Sequence, residues 1–344
     1  MVMDARSARV TAWWRRTMRA ASPETPWTLE EELALARRHG VQLVTLDDPD
    51  YPAPLKTIPQ PPPVLYIWGR WLPEDAAAVA VVGSRACSLH GQMTAERLAH
   101  DLAAHGLTIV SGLARGIDAA AHRGALKAGG RTIAVLGSGL LRMFPTEHEA
   151  LARQIAESGA VVSEFPLRAE PLAWHFPQRN RVIAGLALGA IVVEAATRSG
   201  ALITATHTLE QGKEVFAVPG AAGSPMNRGA HALLRDGARL VESAEDVLQD
   251  LQSALAQCVR TLGGDRARPS TGSDGAAEAA PTGPRLTADE RQVYARLSAR
   301  PVGVDQLTAQ TSVAAAQLLP LLLGLELKGL VRQVPGQQFV RVAP

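Results

Sequence analysis

Six short apolar runs recur through the middle of this chain: Ala78–Val82, Leu107–Ser111, Thr132–Leu136, Ala160–Ser163, Ala190–Glu194 and Glu214–Val218. Each is rich in valine, isoleucine or alanine, and a helix-length segment separates it from the next. Runs that are apolar on both faces are strands covered from both sides. Strands alternating with helices build an α/β fold with a parallel, doubly wound sheet. On such a sheet a ligand binds outside the carboxyl ends of the strands. The residues that follow each strand are therefore the ones to read for function.

Those residues repeat a theme. Gly83-Ser84-Arg85 follows the first strand, and Ser111 and Gly112 lead into Arg115, Gly116 and Asp118 after the second. Gly137-Ser138-Gly139 follows the third and Arg198-Ser199-Gly200 the fifth. Glycine lets the backbone approach a ligand closely. The helix N-termini that follow present free N–H groups and a positive dipole end, which suit phosphate. Arginines add forked donors. Ser199 is expected to cap its helix. One glycine turn is unremarkable in this fold class, but four with arginines nearby point to an anionic ligand. A dinucleotide does not fit, because GSRACSLHG is not G-x-G-x-x-G and Arg142 stands where the third turn would need its last glycine. No P-loop pattern occurs either.

Between the fourth and fifth strands stands Trp174-His175-Phe176-Pro177-Gln178-Arg179-Asn180-Arg181. Rings beside arginines are what a single-stranded nucleic acid needs, since bases stack while arginines track the backbone. Taken singly, Phe176 reads as core, and Arg179 and Arg181 as solvated or ion-paired. Beside four phosphate-ready turns the nucleic-acid reading gains.

Charge constrains how this can work. The chain has 344 residues and a formal net charge of +2. Residues 75–250 carry sixteen Lys/Arg against seventeen Asp/Glu. A general basic coat is excluded, so DNA binding requires arginines gathered at one edge. Asp118, His122, Glu164, His175 and Glu194 are the acid–base candidates. No spacing pairs a nucleophile with a base, and no metal-ligand motif occurs, so the expectation is a protein without catalysis or cofactor. His122 and Asp118, four apart on a helix, are expected to share a local hydrogen bond. Two cysteines exclude a disulfide framework and suit a reducing compartment. The N-terminus has no signal-peptide core, and a cytoplasmic location is expected.

The length suggests two or three domains. Residues 1–70 read as a small helical head, with a helix at Leu29–Arg38, a strand from Val41 and a proline-rich connection. The sheet domain spans 71–255, and 256–285 is a Gly/Pro/Ser/Ala linker. Residues 286–344 read as three helices and a hairpin, a winged helix. Its third helix, Val313 to Lys328, is apolar through its middle and ill-suited to reading a major groove. It points to packing or protein interaction, with Arg332 and Arg341 left for weak duplex binding.

VAVVGSR (79–85), IVSGLARGIDAAAH (109–122), TIAVLGSGL (132–140), FPQRNRVIAGL (176–186), SGALITA (199–205) and GAHALLRDGA (229–238) resemble the DNA-processing protein A family, also called DprA or Smf. The resemblance implies an extended Rossmann-like sheet without a dinucleotide, a SAM-like helical N-terminal domain and a winged helix. It implies single-stranded DNA binding as a homodimer, RecA loading past single-strand-binding protein, and natural transformation as the setting. It places DNA contacts on Gly83, Ser84, Arg85, Phe176, Arg179, Asn180 and Arg181. Ala173 stands where some members carry a lysine. The competing reading is a nucleotide-hydrolysing enzyme of the phosphoribohydrolase (lysine decarboxylase-like) type. Its signature resembles P-G-G-x-G-T-x-x-E, and the turn at 198–204 here lacks the glutamate. A pure protein scaffold is the third reading.

Overall fold

The computed structural model describes residues 28–264, 288–298 and parts of 302–341. The chain divides into two compact units, with the boundary after Cys258. The first holds a nine-stranded sheet. After helix α1 (Leu29–Arg38) come β1 (Val41–Thr45) and β2 (Val64–Gly69). There follow β3 (Ala78–Gly83), α2 (Leu89–Ala104), β4 (Thr108–Ser111), α3 (Ile117–Lys127), β5 (Thr132–Leu136), α4 (Glu149–Ser158) and β6 (Ala160–Ser163). Next come α5 (His175–Leu186), β7 (Gly189–Val193), α6 (Gly200–Glu210), β8 (Glu214–Ala217), α7 (Arg228–Arg235), β9 (Arg239–Leu240) and α8 (Ala244–Gly264), within which the unit boundary falls.

The strand order is β1-β2-β6-β5-β4-β3-β7-β8-β9. From β3 the chain winds outward through β4 and β5 to β6, then returns to the other side of β3 with β7. All pairings from β6 to β9 are parallel. Alternate residues of β3 serve opposite faces: Val79 and Val81 join one buried cluster, and Ala78, Ala80 and Val82 another. Two-sided burial is the physical reason the strand runs carry no polar alternation.

The six predicted strands are all present, with ends shifted by at most a residue. The domain limits differ. β1 and β2 are antiparallel strands of the same sheet, with β2 on β6, so the sheet begins at Val41 and not at 71. β2 (VLYIWG) follows a run of three prolines, which masked it in sequence. α8 continues to Gly264, so 256–264 are helix and not linker. Residues 1–27 of the expected helical head and 265–287, which hold the rest of the expected linker, lie outside the described residues. Among the described residues no helix is long and apolar enough to cross a membrane.

The second unit shows α9 (Ala288–Arg296), β10 (Val302–Gly303), β11 (Val331–Val334) and β12 (Gln338–Arg341). β11 and β12 form the expected hairpin, with β10 on its free side. Leu318, Leu322 and Leu325 are buried with Val293, Leu307 and Phe339. These three leucines of the expected third helix are thus core. Most of 313–328 lies outside the described residues. The Arg341 guanidinium lies 4.2 Å from the centre of the Tyr294 ring.

His122 is fully buried and bonds Thr132, not Asp118: its Nδ1 lies 2.7 Å from the Thr132 hydroxyl. That hydroxyl donates to the Ile109 carbonyl, so Nδ1 must carry the proton that joins the pair. Nε2 then faces the interior without a partner. Burial pushes the imidazole pKa down from 6.5 to about 3. Between those values the unfolded chain binds a proton that the folded chain refuses. The contribution to stability is whole above pH 6.5 and is lost as pH falls toward 3. Acidification from pH 6.5 to 5 should cost wild type about 2 kcal/mol from this side chain alone. Urea unfolding of wild type and His122→Leu at both pH values checks it: the variant should lose less stability by that amount.

Candidate nucleic-acid interface

The sheet reverses its winding between β3 and β7, so the crevice of this fold lies at their carboxyl ends. Gly83 ends β3 tight against β7, where a Cβ would stand 1.9 Å from the Val193 carbonyl oxygen. Ser84 N–H donates to the Glu194 carbonyl at 2.8 Å, and the Ser84 carbonyl accepts from Ile117 N–H at 3.2 Å. Gly116, at φ 75°, makes room for that second contact. A turn fixed at both sides presents Arg85 to solvent. Its guanidinium carbon sits 5.1 Å from the Phe176 ring centre, and it pairs with no carboxylate among the described residues.

Phe176 stands on the first turn of α5. Gly137 lets its ring lie directly on the chain end of β5, with a ring carbon 2.8 Å from where a Cβ would be. Phe144, from the loop after β5, meets Phe176 edge-on at 6.0 Å and is 43% exposed. Sequence reading missed Phe144, whose only signal is its place in the loop that also carries Arg142. Trp174 is exposed and meets the His175 ring edge-on, and His175 packs against Phe165. Burial lowers the His175 pKa.

The arginine-asparagine-arginine run is placed differently from its expected role at the DNA. Arg179 is 4% exposed. Its Nη1 donates to the carbonyls of Gly112, at 3.0 Å, and Val135, and its Nε to Asn180 Oδ1 at 3.1 Å. Asn180 is buried too and donates to the Gly200 carbonyl at 3.2 Å. Arg181 pairs with Glu164. All three are occupied within the protein. Burial brings the Arg179 pKa down to about 10, against the pull of Asp118. The Asp118 pKa is raised by its own burial, against the pull of Arg179, and its carboxylate accepts from Gly112 and Ala114 N–H.

The glycines serve packing as well. Gly112 accommodates Arg179 and Asp118, and Gly139 lies against the backbone of Pro166 and Leu167. Ser111 is fully buried and donates to the Val81 carbonyl. Gly200 alone among the turn glycines named above faces open space. Ser199 caps α6 as expected, accepting from Ala201 N–H. Arg115 is exposed and paired with Glu147, and Arg142 with Glu170. Of the arginines in these loops only Arg85 and Arg198 have no carboxylate partner among the described residues.

Glu194 follows β7 directly and lies in the left-handed region, at φ 50°. Such backbone costs a side-chain-bearing residue about 1–3 kcal/mol. Its carboxylate accepts from Ser88 N–H at 2.8 Å and from the Ser88 hydroxyl, and Gly91 leaves space for it. It therefore sits at the N-terminus of α2, the position a nucleotide phosphate takes in related sheets. The chain fills that anion position with its own side chain.

These placements separate two kinds of arginine. Arg179→Met should destabilise the fold by about 3–5 kcal/mol, because it strands Asp118 and two carbonyls. Arg85→Ala should stay within about 0.5 kcal/mol of wild type. Urea midpoints of the two variants check this.

Comparison with known proteins agrees with this architecture. Residues 42–252 match the family described as DNA recombination-mediator protein A, and residues 277–337 match the DprA winged helix domain. Protein Smf of Escherichia coli is 45% identical over 229 residues, 66% of this chain and 61% of its own length. Protein Smf of Synechocystis is 37% identical over 318 residues, 87% of this chain and 80% of its own. Among solved structures, DNA processing protein A of Streptococcus pneumoniae is similar at 42% identity and a TM-score of 0.60, over 63% of this chain and 77% of that one. The Helicobacter pylori protein, described for its single-stranded DNA binding mode, is similar at 27% identity and 0.55, over 62% and 97%. The doubly wound sheet, the winged helix and these matches together make the chain a member of the DNA recombination-mediator protein A family.

Proposed function

We propose that this chain binds single-stranded DNA at the carboxyl edge of its sheet and promotes the loading of a RecA recombinase, in natural transformation or recombination. The observation that carries the reading is Arg85, exposed and unpaired above the half-buried ring of Phe176. Arg85 leaves the Phe176 ring for a phosphate as a base stacks on that ring and on Phe144, with Arg198 as a second free cation. Arg115 joins by releasing Glu147, since an exposed pair of this kind holds weakly. Rings set into a surface reach only bases that are unpaired, which favours single strands over duplex. The single-stranded DNA binding described for the Helicobacter pylori relative supports the same assignment.

A binding role without catalysis is favoured by how the titratable groups are spent. Asp118 accepts two backbone bonds, Glu164 pairs with Arg181, and Glu194 is held by Ser88. The hydroxyls beside two of them are committed to the fold: Ser88 caps α2 by accepting from Gly91 N–H, and Ser111 donates to the Val81 carbonyl. The nucleotide-hydrolase alternative loses its phosphate position to Glu194. We further propose that the protein acts in the cytoplasm as a homodimer, handing strands from single-strand-binding protein to RecA. The winged helix then contributes packing and at most weak duplex contact.

Fluorescence anisotropy of a labelled dT oligomer, titrated at several salt concentrations, tests the reading. Arg85→Ala should weaken binding and flatten the salt slope by about 0.7 for each phosphate that the side chain no longer neutralises. Phe176→Ala should cost about 1–3 kcal/mol with little change in slope, because stacking releases few counterions. A chain ended at Gly264 should keep most of its affinity. Unchanged affinity in both point variants would remove this edge as the DNA site.

A further inference from the structure

A second concavity, about 460 Å³ in volume, lies at the carboxyl ends of β7 and β8, between α2 and the loop that follows β8. Its volume is that of a small-molecule site. Val193, Val218 and Met226 give it apolar walls, and Glu194, Asn227, Ser88, His90, Thr94 and Ser224 are its polar groups. Glu194 and Asn227 are only 9% and 6% exposed. The Asn227 side chain makes no hydrogen bond among the described residues, yet its polar atoms are not sealed from solvent, and it lines the cleft. A buried amide left unpaired is costly unless a ligand or water completes it.

The chemistry of the lining selects the ligand. No lysine or arginine lines the cleft and a carboxylate does, so a phosphate is disfavoured. Each Glu194 oxygen accepts one bond from Ser88 and retains acceptor capacity, so it seeks an N–H donor. Asn227 offers both a donor and an acceptor. Apolar walls with an acceptor beside an amide fit a flat heterocycle bearing an amine next to a ring acceptor. Carboxylate to the cytosine amine is a known complementary pairing. Thymine fits worse, because its one ring N–H is flanked by two carbonyls that face the carboxylate oxygens. The cleft is also within the reach of a bound strand: Arg85 and Ser88 stand on one short turn, and Ser88 both lines the cleft and holds Glu194.

We propose that this cleft takes one amine-bearing nucleobase, cytosine, adenine or guanine, from the strand whose phosphates follow Arg85. The proposal rests on the reading of the chain as a single-stranded DNA binder and gives that site a base preference. The test compares labelled dC15 and dT15 by anisotropy at one salt concentration, in wild type, Asn227→Leu and Thr94→Phe, the last filling the cleft. Wild type should bind dC15 about tenfold more tightly, and both variants should lose most of that ratio. A ratio near one in wild type, with both oligomers bound, overturns the base site and leaves strand binding intact. Free cytidine, followed by saturation-transfer NMR on the full chain, separates the remaining case. If neither oligomer binds while cytidine gives a signal in wild type that Thr94→Phe abolishes, the base site stands and the strand reading falls. Silence from both oligomers and cytidine overturns both.

Discussion

The candidate interface depends on one buried guanidinium. Arg179 reaches from α5 to the carbonyls that end β4 and run along β5, and Asp118 beside it gathers the backbone after β4. These bonds fix the first turns of α5 against the chain ends of two strands. Phe176 lies one turn before Arg179 on the same helix, and so its ring settles on Gly137. Arg85 in turn finds that ring beneath it. The exposed pair that meets solvent is thus held in place by a charge that never does. A buried cation is tolerable here because carbonyls and a carboxylate surround it.

A nearly neutral domain can present a basic site only by choosing which arginines stay unpaired. Arg115, Arg142 and Arg181 each have a carboxylate partner, whereas Arg85 and Arg198 do not. Nearly equal numbers of both signs therefore conceal an uneven distribution of free charge. The exposed partners, Glu147 and Glu170, form a reserve that an incoming phosphate can displace. The buried pair of Arg181 and Glu164 is structural. On the proposed reading, affinity built this way is modest in charge and leans on ring stacking.

The sheet was legible because two-sided burial leaves an unbroken apolar run, and no other local pattern produces six of them at helix spacing. β2 escaped because prolines precede it, and β9 because two residues carry no period. Within the candidate site, Arg85 and Phe176 stand out through their neighbours in sequence, and the structure brings the two together. The burial of Arg179 and Asn180 was not legible, because a sequence shows a residue's chemistry and not its depth. The same limit explains the turn glycines: packing against a protein backbone and packing against a phosphate demand the same missing Cβ. Phe144 stayed hidden because its partner, Phe176, is distant in sequence.

Glu194 shows why a nucleotide-type sheet need not bind a nucleotide phosphate. The winding reversal creates a crevice, and the α2 N-terminus makes that crevice attractive to an anion. An empty anion position would leave N–H groups unsatisfied, so the chain inserts a carboxylate and accepts left-handed backbone to do so. Two bonds to Ser88 offset that strain. The substitution has two consequences. On the proposed reading it moves anion binding outward, to Arg85 on the neighbouring turn, where an extended polyanion fits better than a buried phosphate. It also turns the inner crevice into an acceptor-lined cleft, suited to a base and hostile to its phosphate. In the proposed binding mode, one residue just after β7 therefore separates the two parts of a nucleotide between two adjoining surfaces.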